Sequence, residues 1–142
     1  MRVLVATAAI AGTCVLAGCS KQPPTTTEMY SVVVGEKTDL YEVVGRNELK
    51  LAANVKVKAV QGPGGSDSGM LVLRANGTTG GYMACSCPPG CSGTCKAAND
   101  NPDHASCSGG CSNSEGVGVS CEMYGPLPGP PKDPLTIKLV HR

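Results

Sequence analysis

Apolar and polar residues alternate in several short stretches of the chain, and alternation with period two is the mark of a half-buried strand. The cleanest stretch sets Val55, Val57 and Ala59 against Lys56 and Lys58. Leu49 and Leu51 alternate with Glu48 and Lys50, and Leu135, Ile137 and Leu139 with Thr136 and Lys138. Tyr30, Val32 and Val34 alternate with Ser31 and Val33, and Leu71 and Leu73 with Val72 and Arg74, while residues 40–44 add a further candidate. Turn formers separate these runs: Gly35, Gly45-Arg46-Asn47, Gly62-Pro63-Gly64-Gly65, Asn76-Gly77 and Gly80-Gly81. No window sustains a helical period; the competing reading is one short helix over residues 47–53. The pattern therefore predicts a mainly β domain, a small antiparallel sheet or sandwich of about five or six strands. A long irregular insertion rich in Cys, Gly and Ser interrupts it over residues 85–121. The last strand, residues 135–140, returns to the sheet after an extended lead held by Pro126, Pro128, Pro130, Pro131 and Pro134.

The first residues are of a different kind. Met1-Arg2 gives a positive start, and residues 3–15 form an apolar run of thirteen. That length suits the apolar region of an export signal and is too short to span a bilayer. Leu16-Ala17-Gly18-Cys19-Ser20 follows directly. Over these twenty residues the chain resembles the bacterial lipoprotein precursors, in which Leu and two small residues precede the modified Cys. The resemblance implies cleavage between Gly18 and Cys19, a thioether-linked diacylglycerol on Cys19 and a further N-acyl chain. Each buried CH₂ contributes about 0.8 kcal/mol, and one chain anchors marginally, so two or three chains make a stable attachment. In Gram-negative lipoproteins a residue other than Asp directly after the modified Cys usually goes with the outer membrane, so with Ser20 in that place the resemblance implies the outer membrane. The expected organisation is a signal peptide over residues 1–18, a lipid-anchored tether over 19–28 and a β-domain over 29–142. The tether's Pro23, Pro24 and three threonines make it stiff and solvated.

Composition narrows the picture. With 142 residues, there is room for one small domain. The net charge of +1 lacks the clustered basic surplus of a nucleic-acid binder. The chain has no Trp and no Phe but 19 Gly and 11 Pro. A small domain with so thin a core generally needs staples.

The nine cysteines supply candidates. Cys14 and Cys19 lie at the N-terminus; Cys85, Cys87, Cys91, Cys95, Cys107, Cys111 and Cys121 lie in the insertion. Cys87-Pro-Pro-Gly-Cys91 and Cys107-Ser-Gly-Gly-Cys111 are similar units, each predicted to fold back in a tight turn. No C-x-x-C is present, which removes the thioredoxin-like pair, the haem attachment, the zinc ribbon and the ferredoxin run. Two readings remain. In an oxidising compartment, three disulfides use six of the seven cysteines and leave one free or bridging to another chain. The pairing is open: choosing the odd cysteine and pairing the others allows about 105 patterns. Alternatively, the seven thiolates with His104 as an eighth donor hold Cu(I) or Zn²⁺. The composition of this segment is similar to that of metallothioneins, with a single Cys-x-Cys.

Catalytic groups find no support. Asp100, Asp103 and His104 sit in a polar stretch expected to be a solvated turn, without calcium-loop spacing. No serine has a G-x-S-x-G setting. His141 adjoins the C-terminus and is expected to be exposed, while Met70, Met83 and Met123 are expected to fill core or surface. The expectation is a non-enzymatic, disulfide-stabilised envelope protein of structural or interaction type. Its partners are the membrane and an envelope protein, with no nucleic acid and no cofactor. The alternative is a metal buffer or delivery site.

Overall fold

A computed structural model describes residues 26–142. The export signal, Cys19 and most of the tether lie outside the described residues. Eleven strands follow one another: β1 (Thr27–Tyr30), β2 (Tyr41–Gly45), β3 (Glu48–Leu51), β4 (Lys56–Gly62), β5 (Gly65–Leu73), β6 (Thr79–Ser86), β7 (Ser92–Asn101), β8 (His104–Ser112), β9 (Gly118–Val119), β10 (Glu122–Leu127) and β11 (Ile137–Val140). One 3-10 turn, Pro134–Thr136, precedes β11 and is capped by the Asp133 side chain. Among the described residues no helix is long and apolar enough to cross a membrane.

Three sheets stack in layers. The central one runs β10-β6-β5-β4, a second runs β2-β3-β8-β7 with β9 beside β8, and β1 pairs with β11 alone. The two larger sheets are antiparallel, whereas β1 and β11 pair in parallel. The period-two rule assigns the faces of the central sheet. Met70 and Val72 of β5, Met83 and Cys85 of β6 and Met123 of β10 pack against the second sheet. Tyr82 and Ala84 of β6 and Tyr124 of β10 point the other way, onto Met29, Ile137 and Leu139 of the β1–β11 pair.

This double cover explains where the sequence pattern breaks down. In β6, Tyr82, Met83, Ala84 and Cys85 are all 0% exposed. A strand buried on both faces reads as a continuous apolar run without alternation, and Gly80-Gly81, predicted as a turn, lies inside it. Residues 47–53 hold β3 rather than a helix. The predicted turns at 45–47, 62–65 and 76–77 are the β2–β3, β4–β5 and β5–β6 connections. At the last, Asn76 Oδ1 accepts from Thr78 N at 3.0 Å and Gly77 takes φ +86°. The final strand does not rejoin a large sheet; it pairs with β1. Pro126 sits at a register shift in β10, an edge strand, where its missing N–H costs no ladder bond.

The Cys-rich segment is more regular than its composition predicts. It supplies β7 and β8, a long antiparallel hairpin whose partners run from Ser92↔Ser112 to Asn101↔His104. Cys107-Ser-Gly-Gly-Cys111 is therefore strand and not a turn. Cys87-Pro-Pro-Gly-Cys91 does turn, with Cys91 N donating to Pro88 O at 3.0 Å and Gly90 at φ +85°.

Candidate functional site

The hairpin sets three sulfurs on one face. Cys95 stands opposite Gly109, Ala97 opposite Cys107 and Gly93 opposite Cys111. Residues two and four apart on a strand share a face, so Cys95, Cys107 and Cys111 all point into the layer between the sheets. Cys85 and Cys87 share a face of β6 and its extension by the same rule. Three disulfides close the gap: Cys85–Cys107, Cys87–Cys111 and Cys95–Cys121. They span sequence separations of 22, 24 and 26 residues. Loops of that length correspond to about 3 kcal/mol of stabilisation each, large for a core without Phe or Trp. Gly93 lets the hairpin close here: at φ +151°, a methyl group on it would run into the Gly110 carbonyl.

The second and third bridges touch. Cys95 Sγ lies 3.5 Å from Cys111 Sγ and 3.8 Å from Cys87 Sγ, and Cys111 Sγ lies 3.8 Å from Cys121 Sγ. Oxidised sulfur carries no proton, so these are van der Waals contacts and not hydrogen bonds. Cys95, Cys111 and Cys121 are buried, and Cys87 is partly exposed. The sulfurs of Cys87, Cys95 and Cys111 fall within 4.8 Å of one another, close enough to serve one metal ion once the bridges are reduced.

Cys91 is the unpaired cysteine among the described residues and is partly exposed. It lines a cleft of about 560 Å³ together with Arg46, Cys121, Glu122 and His141. Glu122, 5% exposed, is the buried carboxylate at this cleft. Its Oε2 accepts from the Tyr124 hydroxyl at 3.1 Å and meets His141 Nδ1 at 2.9 Å, while Arg46 stands 3.9 Å from Oε1. Burial pushes the pKa of the Tyr124 hydroxyl up, and the neighbouring Glu122 carboxylate pushes it further, so the phenol keeps its proton. Backbone bonds fix the wall: Met123 N donates to Arg46 O at 2.9 Å, and Cys107 N to Asn47 O at 2.8 Å.

The remaining sequence candidates lie elsewhere. His104 begins β8 at the far end of the hairpin, with Nδ1 3.0 Å from Asp103 and Nε2 3.9 Å from Glu48. Cys111 lies seven steps further along the strand, roughly 23 Å at a strand's rise. Its hydrogen bond with Asp103 holds that carboxyl's pKa below the usual value, favouring the carboxylate. Met70, Met83 and Met123 are core residues, each 0% exposed. His141 is half exposed, as its terminal position predicts, yet it is tied to the buried Glu122. The Glu122 cluster was not visible in the sequence, because its members come from residue 46, residues 122–124 and the C-terminus. Cys19 lies outside the described residues. No known protein family matches this chain, and neither a curated protein nor a solved structure does.

Proposed function

We propose that this chain is a lipid-anchored bacterial envelope protein of structural or interaction type, tethered through Cys19 and stapled by its disulfides. The observation that carries the reading is the set of three disulfides in a domain of this size. Such bridges persist outside the reducing cytosol, which agrees with an export signal ending in Leu16-Ala17-Gly18-Cys19. Tyr30, Val33 and Val34 are 38%, 44% and 55% exposed just beyond the tether, which supports an interaction role. The test is membrane fractionation of wild type and Cys19→Ser in a bacterial host. Release of the variant from the membrane supports the anchor; retention at the wild-type level overturns it.

A second reading is thiolate metal binding, favoured by the approach of the Cys87, Cys95 and Cys111 sulfurs to within 4.8 Å. In this reading the reduced protein buffers or delivers a soft metal ion at the membrane surface.

A further inference from the structure

We propose that Cys87, Cys95, Cys111 and Cys121 form a redox-gated zinc site: two touching disulfides when oxidised, one tetrathiolate centre when reduced. The proposal deepens the metal-binding reading and rests on it. It replaces a diffuse set of seven thiols and His104 with four specified ligands.

Zinc in a structural thiolate site is tetrahedral with Zn–S of about 2.3 Å, so its sulfurs stand about 3.8 Å apart along each tetrahedral edge. Three of the four distances between the two bridges are 3.8, 3.5 and 3.8 Å. Those edges are in place before any metal arrives. Of the other three edges, two are the disulfide bonds, which must open, and the third, Cys87–Cys121, must close, because Cys121 stands outside the group of Cys87, Cys95 and Cys111 sulfurs that lie within 4.8 Å of one another. The Cα atoms of these pairs lie 5.7 and 6.0 Å apart, so rotation about the Cα–Cβ bonds separates the sulfurs without moving the strands. The first bridge, Cys85–Cys107, has no part in this: these contacts run among Cys87, Cys95, Cys111 and Cys121. Cys85–Cys107 can therefore remain as a staple.

The partly exposed Cys87 gives a reductant its way in. A dithiol attacks Cys87 Sγ, the Cys87–Cys111 bond breaks, and Cys111 leaves as a thiolate. The second thiol of the reductant then displaces Cys87 and departs as a cyclic disulfide. The same exchange at Cys95–Cys121 consumes a second dithiol, so four electrons and four protons pass to four cysteines. Zn²⁺ takes four sulfur lone pairs and four protons leave to solvent. The resulting centre carries two negative charges, and Arg46 lines the same cleft as Cys121.

The test uses the full chain, reduced with excess dithiol and desalted without air, then titrated with Zn²⁺ and separately with Co²⁺. The expected result is one tightly held Zn²⁺ per chain and the absorption of tetrahedral sulfur-bound Co²⁺. Both are expected to be lost in Cys95→Ser and Cys111→Ser and kept in Cys91→Ser. Because Cys91 lies outside every bridge, Cys91→Ser keeps the test valid if other variants fold poorly. Full zinc retention in Cys95→Ser, or its loss in Cys91→Ser, overturns this ligand set while leaving metal binding standing. Absence of stoichiometric zinc in the reduced wild type overturns both.

Discussion

Cys95 and Cys111 belong to different disulfides, yet their sulfurs stand 3.5 Å apart in the layer between the two large sheets. The bridges they head are therefore energetically coupled. Removing either alone by paired Cys→Ala substitution is expected to cost about 3 kcal/mol. Removing both is expected to deviate from the sum by about 0.5–3 kcal/mol, as contacting groups do. Urea unfolding of the three variants against wild type measures this; strict additivity contradicts the contact.

Glu122 is expected to matter more for stability than its long-range partner Arg46. Glu122→Ala leaves the Tyr124 hydroxyl, in a residue that is 0% exposed, without its acceptor. The cost is about 1–3 kcal/mol. Arg46→Ala removes a 3.9 Å contact from a side chain that is 76% exposed, so it is expected to cost less than about 1 kcal/mol. Thermal melts of the two variants rank them.

Alkaline pH is expected to destabilise the fold. Burial raises the pKa values of Tyr41, Tyr82 and Tyr124 above the ordinary 10.0. Below that value the tyrosines are protonated in both folded and unfolded chains, and stability does not depend on them. Above it the unfolded chain sheds protons that the folded one holds, so stability falls as pH rises. The measurement is urea unfolding between pH 8 and 11 on protein alkylated at Cys91, which prevents bridge exchange at high pH. A flat profile contradicts the expectation.

Gly93→Ala is expected to loosen the hairpin that carries three of the bridging sulfurs. Its φ of +151° and the Gly110 carbonyl beside it leave a methyl group no room. A cost above about 1 kcal/mol is expected. Gly64→Ala is the control: there a methyl group would sit 3.6 Å from its nearest neighbour, the Ser68 hydroxyl oxygen, at ordinary contact distance.

The strands that alternation reveals are those with one wet face. β3 and β4 keep lysines on the outside, so their inward residues stand out. β6 has no wet face over Tyr82–Cys85 and gives no period. β7 and β8 hide for another reason: their inward positions hold Cys, Gly and Ala in place of aliphatics. A period was nevertheless present, since Cys85/Cys87 and Cys107/Cys111 are spaced by even numbers, the spacing of one strand face. Three bridges with one thiol left over followed from the cysteine count and the expected compartment. The pairing did not, because it depends on which strands face each other across the layer. Nor did the Glu122 cleft, which is assembled from segments far apart in the chain.

Intact mass of the native protein decides between an exported, bridged chain and a cytosolic, reduced one. The native protein is extracted from membranes with its thiols blocked under non-reducing conditions. The expected mass is that of a chain that begins at acylated Cys19, lacks two hydrogens for each of its three bridges and carries one blocked thiol, at Cys91. A chain that keeps residues 1–18, with every cysteine of the insertion blocked, would contradict it.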